Sequence, residues 1–382
     1  MSTSISTLKQ LVAFPTVSNR PLTDMAAHLA ERLQHASFKV ERFETTPGKI
    51  NVVASAGPVG SDGLILSGHM DVVPTDGQSW SSDPYRLTEK NGKLYGRGTC
   101  DMKGFIAAVL DVAERLDVKT LNRELLLIFT HDEEVGCLGS AALKTQLADR
   151  PVPSLTWIGE PTNFRICRLH PGHMTVRITC LGRPAHSSRP ELGLNAIDIA
   201  TSAMIRLKEL AADLKTQHSP LPGLICPYTI VNIGCIHGGC AVNIVPERCE
   251  IHVGLRPLPG QLSAELIGRI HARLSPLIAQ YQELGGNILI EGVQDTPALL
   301  TASGTQLEEL LRPHADNPKT CAAPFATDGG NLAQLGTQPL VFGPGSIDVA
   351  HRPNEYLSVD ALRATTQILG NVIQRRCVEE LI

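Results

Sequence analysis

The 382-residue sequence has few aromatic residues, which make up 4% of the chain. Proteins that bind single-stranded nucleic acid stack the bases on aromatic side chains, so such a platform is not expected. The net charge is −4 and the Lys and Arg residues are dispersed, which indicates no basic surface for DNA or a membrane. These shortages argue against nucleic acids and membranes as partners.

Long apolar runs and paired cysteines are also missing. The apolar run at residues 125–129 is far too short to span a bilayer. Residues 1–5 lack a charged segment followed by a long apolar one, so no signal peptide is predicted. The ten cysteines are scattered without a C-x-x-C, which is typical of reduced thiols rather than of a disulfide framework or a zinc finger. We therefore expect a cytoplasmic protein.

The length and the hydrophobic content of 42% are enough for two domains with sizeable cores. The first part of the chain, residues 1–172, alternates short, continuous apolar stretches with helical patterns. Strands are predicted at residues 50–54, 64–66, 125–129 and 155–158, and a buried helix at residues 105–116. This pattern favours an α/β sheet with both faces covered.

Residues 173–293 have a different character. Strand patterns at 174–180, 228–236, 248–255 and 287–292 surround helical patterns at 195–214 and 264–281. The order β-α-β-β-α-β is that of a ferredoxin-like sandwich. Beyond residue 300 the first style resumes, with helices at 305–312 and 358–375 and a strand at 339–342. The sequence therefore predicts one α/β domain, residues 1–172 plus 294–382, interrupted by an inserted α+β domain, residues 173–293.

Candidate metal ligands follow the predicted strands at ordered intervals. Two histidines with several carboxylates suit a hydrolytic zinc site, including one in which two metals share a carboxylate. An open α/β sheet places its ligand site at the carboxyl ends of its strands, and these residues all lie at such ends or in the loops that follow. They are His69, Asp71, Asp101, Glu133, Glu134, Glu160 and His351.

Each segment has a simpler interpretation when it is taken alone. Asp101, in the Gly-rich segment 96–104, also fits an N-capping residue in a turn. The segment 130–136 fits a solvated acidic loop, Glu160 a capped turn, and His351 a structural histidine. However, acidic residues grouped after an apolar strand are costly to hold together unless a cation neutralises them. The metal-site hypothesis therefore depends on the whole set.

A second set of residues offers hydrogen-bond donors to an anionic substrate. A histidine stands in a small-residue turn, and an amide and a guanidinium follow later in the predicted insertion. A Gly-rich loop near the second candidate histidine offers N–H groups that suit an oxyanion or a carboxylate. Exposed turns explain each feature equally well when it is taken alone. These residues are His186, Asn243, Arg256, Gly343, Gly345 and Ser346.

Taken in order, the segments resemble the M20 metallopeptidase family, the group of acetylornithine deacetylases, succinyl-diaminopimelate desuccinylases and carboxypeptidase G2. The resemblance covers nearly the whole chain. Its motifs are segments 67–74, 96–104, 132–134, 159–161 and 185–187, together with His351. It implies a zinc-exopeptidase-like catalytic domain with a mixed sheet, an inserted lid or dimerisation domain, and a homodimer.

The resemblance also implies a centre of two divalent ions, zinc or alternatively cobalt. Asp101 would bridge the ions, with His69 and Glu160 completing one site and Glu134 and His351 the other.

Roles for the remaining candidates follow from the same resemblance. Asp71 would orient His69 through its free ring nitrogen, and Glu133 would be the general base. His186, reaching in from a partner subunit, would stabilise the oxyanion. The substrate carboxylate would be held by Arg256, Asn243 and the loop 343–346.

Within the family, segments 236–239, 255–260 and 343–347, together with residues 350–351, are most similar to acetylornithine deacetylases. This similarity implies removal of the acetyl group from an N2-acetylated amino acid such as N2-acetyl-L-ornithine, a step of arginine biosynthesis. Gly254 departs from the family, which commonly has Asp two residues before the Arg at position 256. The alternatives are an acetylcitrulline deacetylase, a desuccinylase, a dipeptidase or carboxypeptidase, and a non-enzymatic, metal-dependent amino-acid-binding protein. A serine hydrolase is disfavoured because no G-x-S-x-G occurs.

Overall fold

The computed structural model describes residues 3–379. Residues 1–2 and 380–382, the ends of the predicted catalytic domain, lie outside the described residues. The strands are β1 (Lys39–Thr46), β2 (Lys49–Ala56), β3 (Leu64–His69), β4 (Thr88–Lys90), β5 (Lys93–Tyr95), β6 (Leu125–Thr130), β7 (Leu155–Ile158), β8 (Arg165–His170), β9 (His173–Leu181), β10 (Ala185–His186), β11 (Ile230–Gly238), β12 (Ile244–Val245), β13 (Arg248–Arg256), β14 (Asn287–Thr296), β15 (Leu299–Leu300), β16 (Asn317–Ala322), β17 (Gln338–Val341) and β18 (Tyr356–Ser358).

The helices are α1 (Thr3–Val12), α2 (Thr23–His35), α3 (Lys103–Ala113), α4 (Leu138–Gln146), α5 (Ala196–Lys215), α6 (Ser263–Glu283), α7 (Gln306–Leu311), α8 (Gly329–Ala333) and α9 (Val359–Ile373). Short 3-10 turns lie at Val118–Thr120, Pro190–Leu192 and Arg312–His314, and a π-helical turn lies at Gln374–Val378. Within residues 3–379, no helix combines the length and apolar character needed to cross a membrane.

The chain folds into two compact units. Unit 1 consists of Met1–Leu169, Leu299–Ala323 and Thr327–Ile382, and unit 2 consists of His170–Ala298 and Pro324–Ala326. The segment that the sequence assigns to an insertion, 173–293, lies within unit 2.

Unit 1 is built on a mixed sheet with the strand order β1-β2-β6-β3-β7-β17-β8-β15, and β16 pairs with β8. Its centre is parallel, because β3 pairs in parallel with β6 and β7, and β17 with β7. Every residue of β3, β6 and β7 is buried, as expected for strands covered on both faces. Helix α3 packs against β3, α1 and α9, and all its residues are buried. The predicted α/β class with a mixed sheet is confirmed.

The register of the parallel strands brings their carboxyl ends to one edge of this sheet. His69 at the end of β3 pairs with Thr130 at the end of β6. Ile158 at the end of β7 pairs with Ser67 on one side and Val341 on the other. The loops that follow these strands therefore start side by side, and this edge is where an open α/β sheet binds its ligand.

Unit 2 contains an antiparallel sheet with the order β11-β13-β9-β14. Helices α5 and α6 pack against each other and against strands of this sheet. Buried and partly exposed residues alternate along β13, so one face of the sheet forms the core with the helices. The chain order β9-α5-β11-β13-α6-β14 is the predicted β-α-β-β-α-β arrangement. Strands β10 and β12 form a separate antiparallel pair.

Candidate metal centre

His69, the last residue of β3, has an imidazole ring that is 1% exposed. Its Nδ1 lies 2.9 Å from the backbone oxygen of Asp71. Because a carbonyl oxygen only accepts, Nδ1 carries the proton, and in the neutral ring Nε2 is left as the metal-binding atom. That Nε2 lies 2.9 Å from Oδ1 of Asp101 and 3.7 Å from Oε1 of Glu160. The ring is therefore held with its potential ligand atom toward two carboxylates.

The first group of potential ligands consists of His69, Asp101 and Glu160. One ligand atom from each lies within 4.8 Å of the others, and all three residues are buried. They come from three places in the chain: the end of β3, the loop before α3 and the loop after β7. The structure thus brings together the three residues predicted for one metal site.

The second group consists of Asp101, Glu134 and His351, again with ligand atoms within 4.8 Å. Nε2 of His351 lies 3.0 Å from Oε2 of Glu134 and 3.2 Å from Oδ2 of Asp101. The two carboxylate oxygens of Asp101 thus face different histidines. The side chain of His351 is 49% exposed, so this group is open to solvent whereas the first group is not.

The electrostatics of the cluster show an excess of acidic groups. Burial raises the pKa of Glu134 to about 7, and the nearby charge of Asp101 adds to this shift. Burial also raises the pKa of Glu133 and of Glu160 well above the usual range of a glutamate. Hydrogen bonds to Asp101 and Glu134 raise the pKa of His351 to about 10. A bound cation would relieve this repulsion between carboxylates.

Asp101 behaves differently from the other carboxylates. Burial alone would raise the pKa of Asp101, but the rings of His351 and His69, when they are protonated at Nε2, donate hydrogen bonds to Asp101 and lower its pKa below the usual range. Asp101 is therefore the carboxylate most strongly held as an anion, which suits a group shared between two cations.

The donor set fits a pair of zinc ions. Each group supplies one histidine nitrogen and two carboxylates, and Asp101 belongs to both. Three protein ligands of this mixed type, with an open coordination position, are typical of catalytic rather than structural zinc.

The carboxylate of Asp71 contacts different groups from those predicted. Its Oδ1 lies 3.7 Å from Nδ1 of His69, beyond hydrogen-bonding distance, because the ring nitrogen bonds to the Asp71 backbone oxygen. The carboxylate instead accepts hydrogen bonds from Oγ of Ser18 (2.8 Å) and from the backbone N–H groups of Glu133 (3.0 Å) and Glu134 (3.2 Å). Asp71 therefore contacts the ring through its backbone and fixes the turn that carries both glutamates.

Glu133 belongs to neither ligand group, although it adjoins Glu134 in the chain. Its Oε1 lies 3.5 Å from Sγ of Cys137, and the residue is partly exposed. The turn thus presents one glutamate to a ligand group and leaves the carboxylate of the other available for proton transfer.

The Gly-rich loop 343–346 lies in unit 1, beside the loop that follows β7. The N–H of Gly343 donates to Oγ1 of Thr162 (3.1 Å), and Oγ of Ser346 donates to Asp348 (3.0 Å). A Cβ added to Gly343 would lie 2.3 Å from the backbone oxygen of Gly159, so only glycine permits this approach. The N–H of Gly343, which was predicted to be free, is therefore already bonded to the loop that follows β7.

His186 and Asn243 lie together in unit 2. His186 is exposed, and its Nδ1 accepts a hydrogen bond from the backbone N–H of Ser188 (3.2 Å). The proton of the neutral ring is therefore on Nε2, where it is available to an oxyanion. Asn243 accepts at its backbone oxygen from the N–H of Ser187 (3.0 Å), next to the β10–β12 pair.

Arg256 lies at the opposite end of β13 from these two residues. Strand β13 starts at Arg248, shortly after β12, and ends at Arg256. At about 3.3 Å per residue, Arg256 is roughly 26 Å from the start of the strand. A single copy of unit 2 therefore separates Arg256 from His186 and Asn243. The position of Gly254 on the same strand has room for a side chain, because the atom nearest to an added Cβ is 3.9 Å away.

Sequence reasoning missed two buried acids near this centre, Asp328 and Glu355, which are 2% and 1% exposed. Oδ2 of Asp328 accepts a hydrogen bond from Oγ1 of Thr130 (2.6 Å), and its charge contributes to the raised pKa of Glu133. In the sequence, Asp328 precedes two glycines and has the pattern of a turn. Glu355 stands four residues after His351, and this proximity in the sequence to a candidate ligand is the feature that could have indicated it.

Paired histidine and carboxylate groups at the carboxyl edge of an α/β sheet, with a separate glutamate beside them, define a metal-dependent hydrolase. Residues 65–375 match the model of Peptidase family M20/M25/M40, and the chain belongs to this family. It is a metallohydrolase that acts on amide bonds.

The chain is similar to proteins named acetylornithine deacetylase over nearly its whole length. It is 35% identical to an acetylornithine deacetylase of Proteus mirabilis, with 100% of this chain and 98% of that protein covered. An acetylornithine deacetylase of Pasteurella multocida is 36% identical, with 96% of each chain covered. The predicted family is therefore confirmed.

Solved structures show the same fold at lower identity. An M20 family metallo-carboxypeptidase from Sulfolobus solfataricus matches with a TM-score of 0.78 and 19% identity, covering 98% of this chain and 99% of that one. A tripeptidase from Staphylococcus aureus matches with a TM-score of 0.74 and 20% identity, covering 98% and 97%. These similarities support the architecture alone.

Proposed function

We propose that the protein is a two-zinc deacetylase that hydrolyses N2-acetyl-L-ornithine to ornithine and acetate, as a step of arginine biosynthesis. The observation that carries the proposal is the identity of 34 to 36% to proteins named acetylornithine deacetylase, over 96 to 100% of the chain. The two ligand groups that share Asp101 support the chemistry.

In this proposal His69, Asp101 and Glu160 hold one ion, and Asp101, Glu134 and His351 hold the other. Two zinc ions, or cobalt in their place, would supply Lewis-acid activation of the amide carbonyl and of water. Glu133, which belongs to neither group, takes the proton from water and returns it to the leaving amine. Asp71 keeps Glu133 in place through the hydrogen bond of 3.0 Å to its backbone.

The substrate contacts in this proposal are the residues that the family resemblance implies. Nε2–H of His186 donates to the oxyanion of the tetrahedral intermediate. The guanidinium of Arg256 binds the substrate carboxylate, with Asn243 and the loop of Gly343, Gly345 and Ser346 as further contacts. Among these candidates His186 has the better support, because its Nδ1 accepts from Ser188 and the ring proton is left on Nε2. Gly343 has the least support, because its N–H already donates to Thr162.

We also propose a homodimer in which the inserted domain supplies His186 and Asn243 to the partner's site. The separation of Arg256 from His186 along β13 supports this idea, because one copy of unit 2 does not present both to the same substrate. The location is proposed to be the cytoplasm. The ten cysteines form no disulfide within residues 3–379, which is consistent with a reducing compartment.

A substrate panel tests the function. Purified protein loaded with zinc or cobalt would be assayed with N2-acetyl-L-ornithine, N2-acetyl-L-citrulline, N-succinyl-L,L-diaminopimelate and a dipeptide, by release of the free amine. We expect the highest kcat/KM for N2-acetyl-L-ornithine, and a Glu133→Gln preparation serves as the control for contaminating hydrolases. A higher kcat/KM for the citrulline, succinyl or peptide substrate would refute N2-acetyl-L-ornithine as the substrate. Binding of these compounds without hydrolysis of any of the four would instead favour a metal-dependent binding protein.

A further inference from the structure

Glu355 is a buried carboxylate that binds the backbone around Asp101. Its Oε1 accepts hydrogen bonds from the N–H groups of Cys100 (2.8 Å) and Asp101 (3.1 Å). Its Oε2 accepts from the N–H of Gly98 (3.1 Å) and from Nη1 of Arg97 (2.6 Å). One side chain therefore binds three backbone N–H groups of the loop 97–101.

The same network reaches the second histidine of the metal centre. Nη2 of Arg97 donates to Oε1 of Gln78 (2.8 Å), and Nε2 of Gln78 donates to the backbone oxygen of His351 (2.9 Å). His351 has a φ of 61°, in the left-handed region that a non-glycine residue adopts only when other contacts hold it there. His351 is also four residues before Glu355, so the loop is fixed at both ends.

We propose that Glu355 is a positioning residue of the metal centre, acting with Arg97 and Gln78. It fixes the backbone of Asp101, the shared ligand, and that of His351, a ligand of one ion only. The inference rests on the proposed two-metal site and extends it to residues that bind no metal themselves.

The geometry favours positioning over a purely structural role. A buried carboxylate is costly unless it is paired, and Glu355 is satisfied by one guanidinium and three N–H groups. The three N–H groups belong to Asp101, the proposed shared ligand, and to Cys100 and Gly98 just before it. The loop also depends on Gly98, with a φ of 80°, where an added Cβ would lie 2.8 Å from Cγ1 of Val72. The backbone of the loop 97–101 is therefore restricted both by the close packing at Gly98 and by the hydrogen bonds to Glu355.

The test compares Glu355→Gln with a matched control. Glu308 is also buried (3% exposed), accepts a backbone N–H from Gly304 (2.9 Å) and pairs with Arg312. Among residues 3–379, these contacts of its carboxylate involve no member of either ligand group. We expect Glu355→Gln to weaken zinc binding by about 10- to 100-fold, as is usual when a partner of a ligand is lost. Binding would be measured by competition with a chromophoric chelator. Glu308→Gln should bind zinc like the wild type, even if its thermal midpoint falls as much.

A second variant, Gln78→Met, distinguishes the effects on the two ions, and its result does not depend on whether Glu355→Gln folds. Gln78 is partly exposed and links Arg97 to the backbone oxygen of His351, so it is the residue of the network that bonds directly to a ligand of one ion only. Gln78→Met should weaken the ion held by Glu134 and His351 and leave the other unchanged. Cobalt titration, followed by visible absorption, would show this as a change in one of two binding phases.

Wild-type affinity for both ions and an unchanged cobalt spectrum in both Glu355→Gln and Gln78→Met would overturn the inference. An equal loss of affinity in Glu308→Gln would assign the effect to stability alone and would also overturn it. These measurements need no substrate. A wild-type protein that binds two ions and does not cleave N2-acetyl-L-ornithine would therefore refute the proposed substrate and leave the role of Glu355 intact.

Discussion

Replacement of Glu133 by glutamine separates catalysis from metal binding. The side chain keeps its size, and the backbone bond to the carboxylate of Asp71 (3.0 Å) does not depend on the glutamate charge. Because Glu133 belongs to neither ligand group, both ions should stay bound. What is lost is the group that accepts a proton from water.

General acid–base catalysis contributes about 10²- to 10⁴-fold to a rate. We therefore expect kcat to fall by about that factor in Glu133→Gln, which raises the barrier by about 3 to 5 kcal/mol. KM should change little, since the substrate contacts are provided by other residues.

The neighbouring residue provides the matched comparison. Glu134→Gln removes a ligand whose Oε2 lies 3.0 Å from Nε2 of His351, so it should lose zinc as well as activity. Steady-state kinetics with metal analysis of the same samples would distinguish the two variants. A Glu133→Gln enzyme that loses zinc, or that retains wild-type kcat with zinc bound, would refute the assignment.

Two further predictions concern unit 2. Co-expressed His186→Ala and Glu133→Ala chains, each inactive alone, should recover up to about a quarter of wild-type activity in mixed dimers. Arg256→Ala with Glu133→Ala should recover none, and rescue in this second pair with none in the first would contradict the proposed dimer. Burial lowers the pKa of His170 to about 4, against about 6.5 in the unfolded chain. Since the unfolded state then binds more protons, the free energy of unfolding should decrease by about 3 kcal/mol as the pH falls from 6.5 to 4. Urea titrations of metal-free wild-type and His170→Gln protein should show this loss reduced in the variant, and an equal loss in both would disprove the assignment.

Buried strands were the elements most readily predicted from the sequence. Strands β3, β6 and β7 are covered on both faces, so their apolar runs stand out, and the predicted and observed bounds differ by at most three residues. Strand β1 has the sequence KVERFETT and lies at the edge of the sheet, largely exposed, so its polar composition gave no strand signal. The short strands β4, β5, β15 and β18 depend on tertiary pairing and are too short for a periodic pattern.

The candidate ligands could be predicted because each is a chemically distinctive residue next to a strand or a glycine. Contacts that depend on distant parts of the chain could not. Glu355 accepts hydrogen bonds from backbone groups more than 250 residues earlier in the chain. The carboxylate of Asp71 accepts a hydrogen bond from the backbone N–H of Glu133 and not from the ring of His69. Neither choice follows from local spacing, because both are decided by how separate loops meet at the sheet edge.

Anomalous diffraction at the zinc edge, from crystals of the zinc-loaded enzyme, would locate the bound ions. We expect two peaks on either side of the Asp101 carboxylate, about 3.5 to 4 Å apart. One peak should contact His69 and Glu160, and the other Glu134 and His351. A single peak in catalytically active crystals, or a pair of peaks that Asp101 does not bridge, would contradict the proposed two-zinc centre.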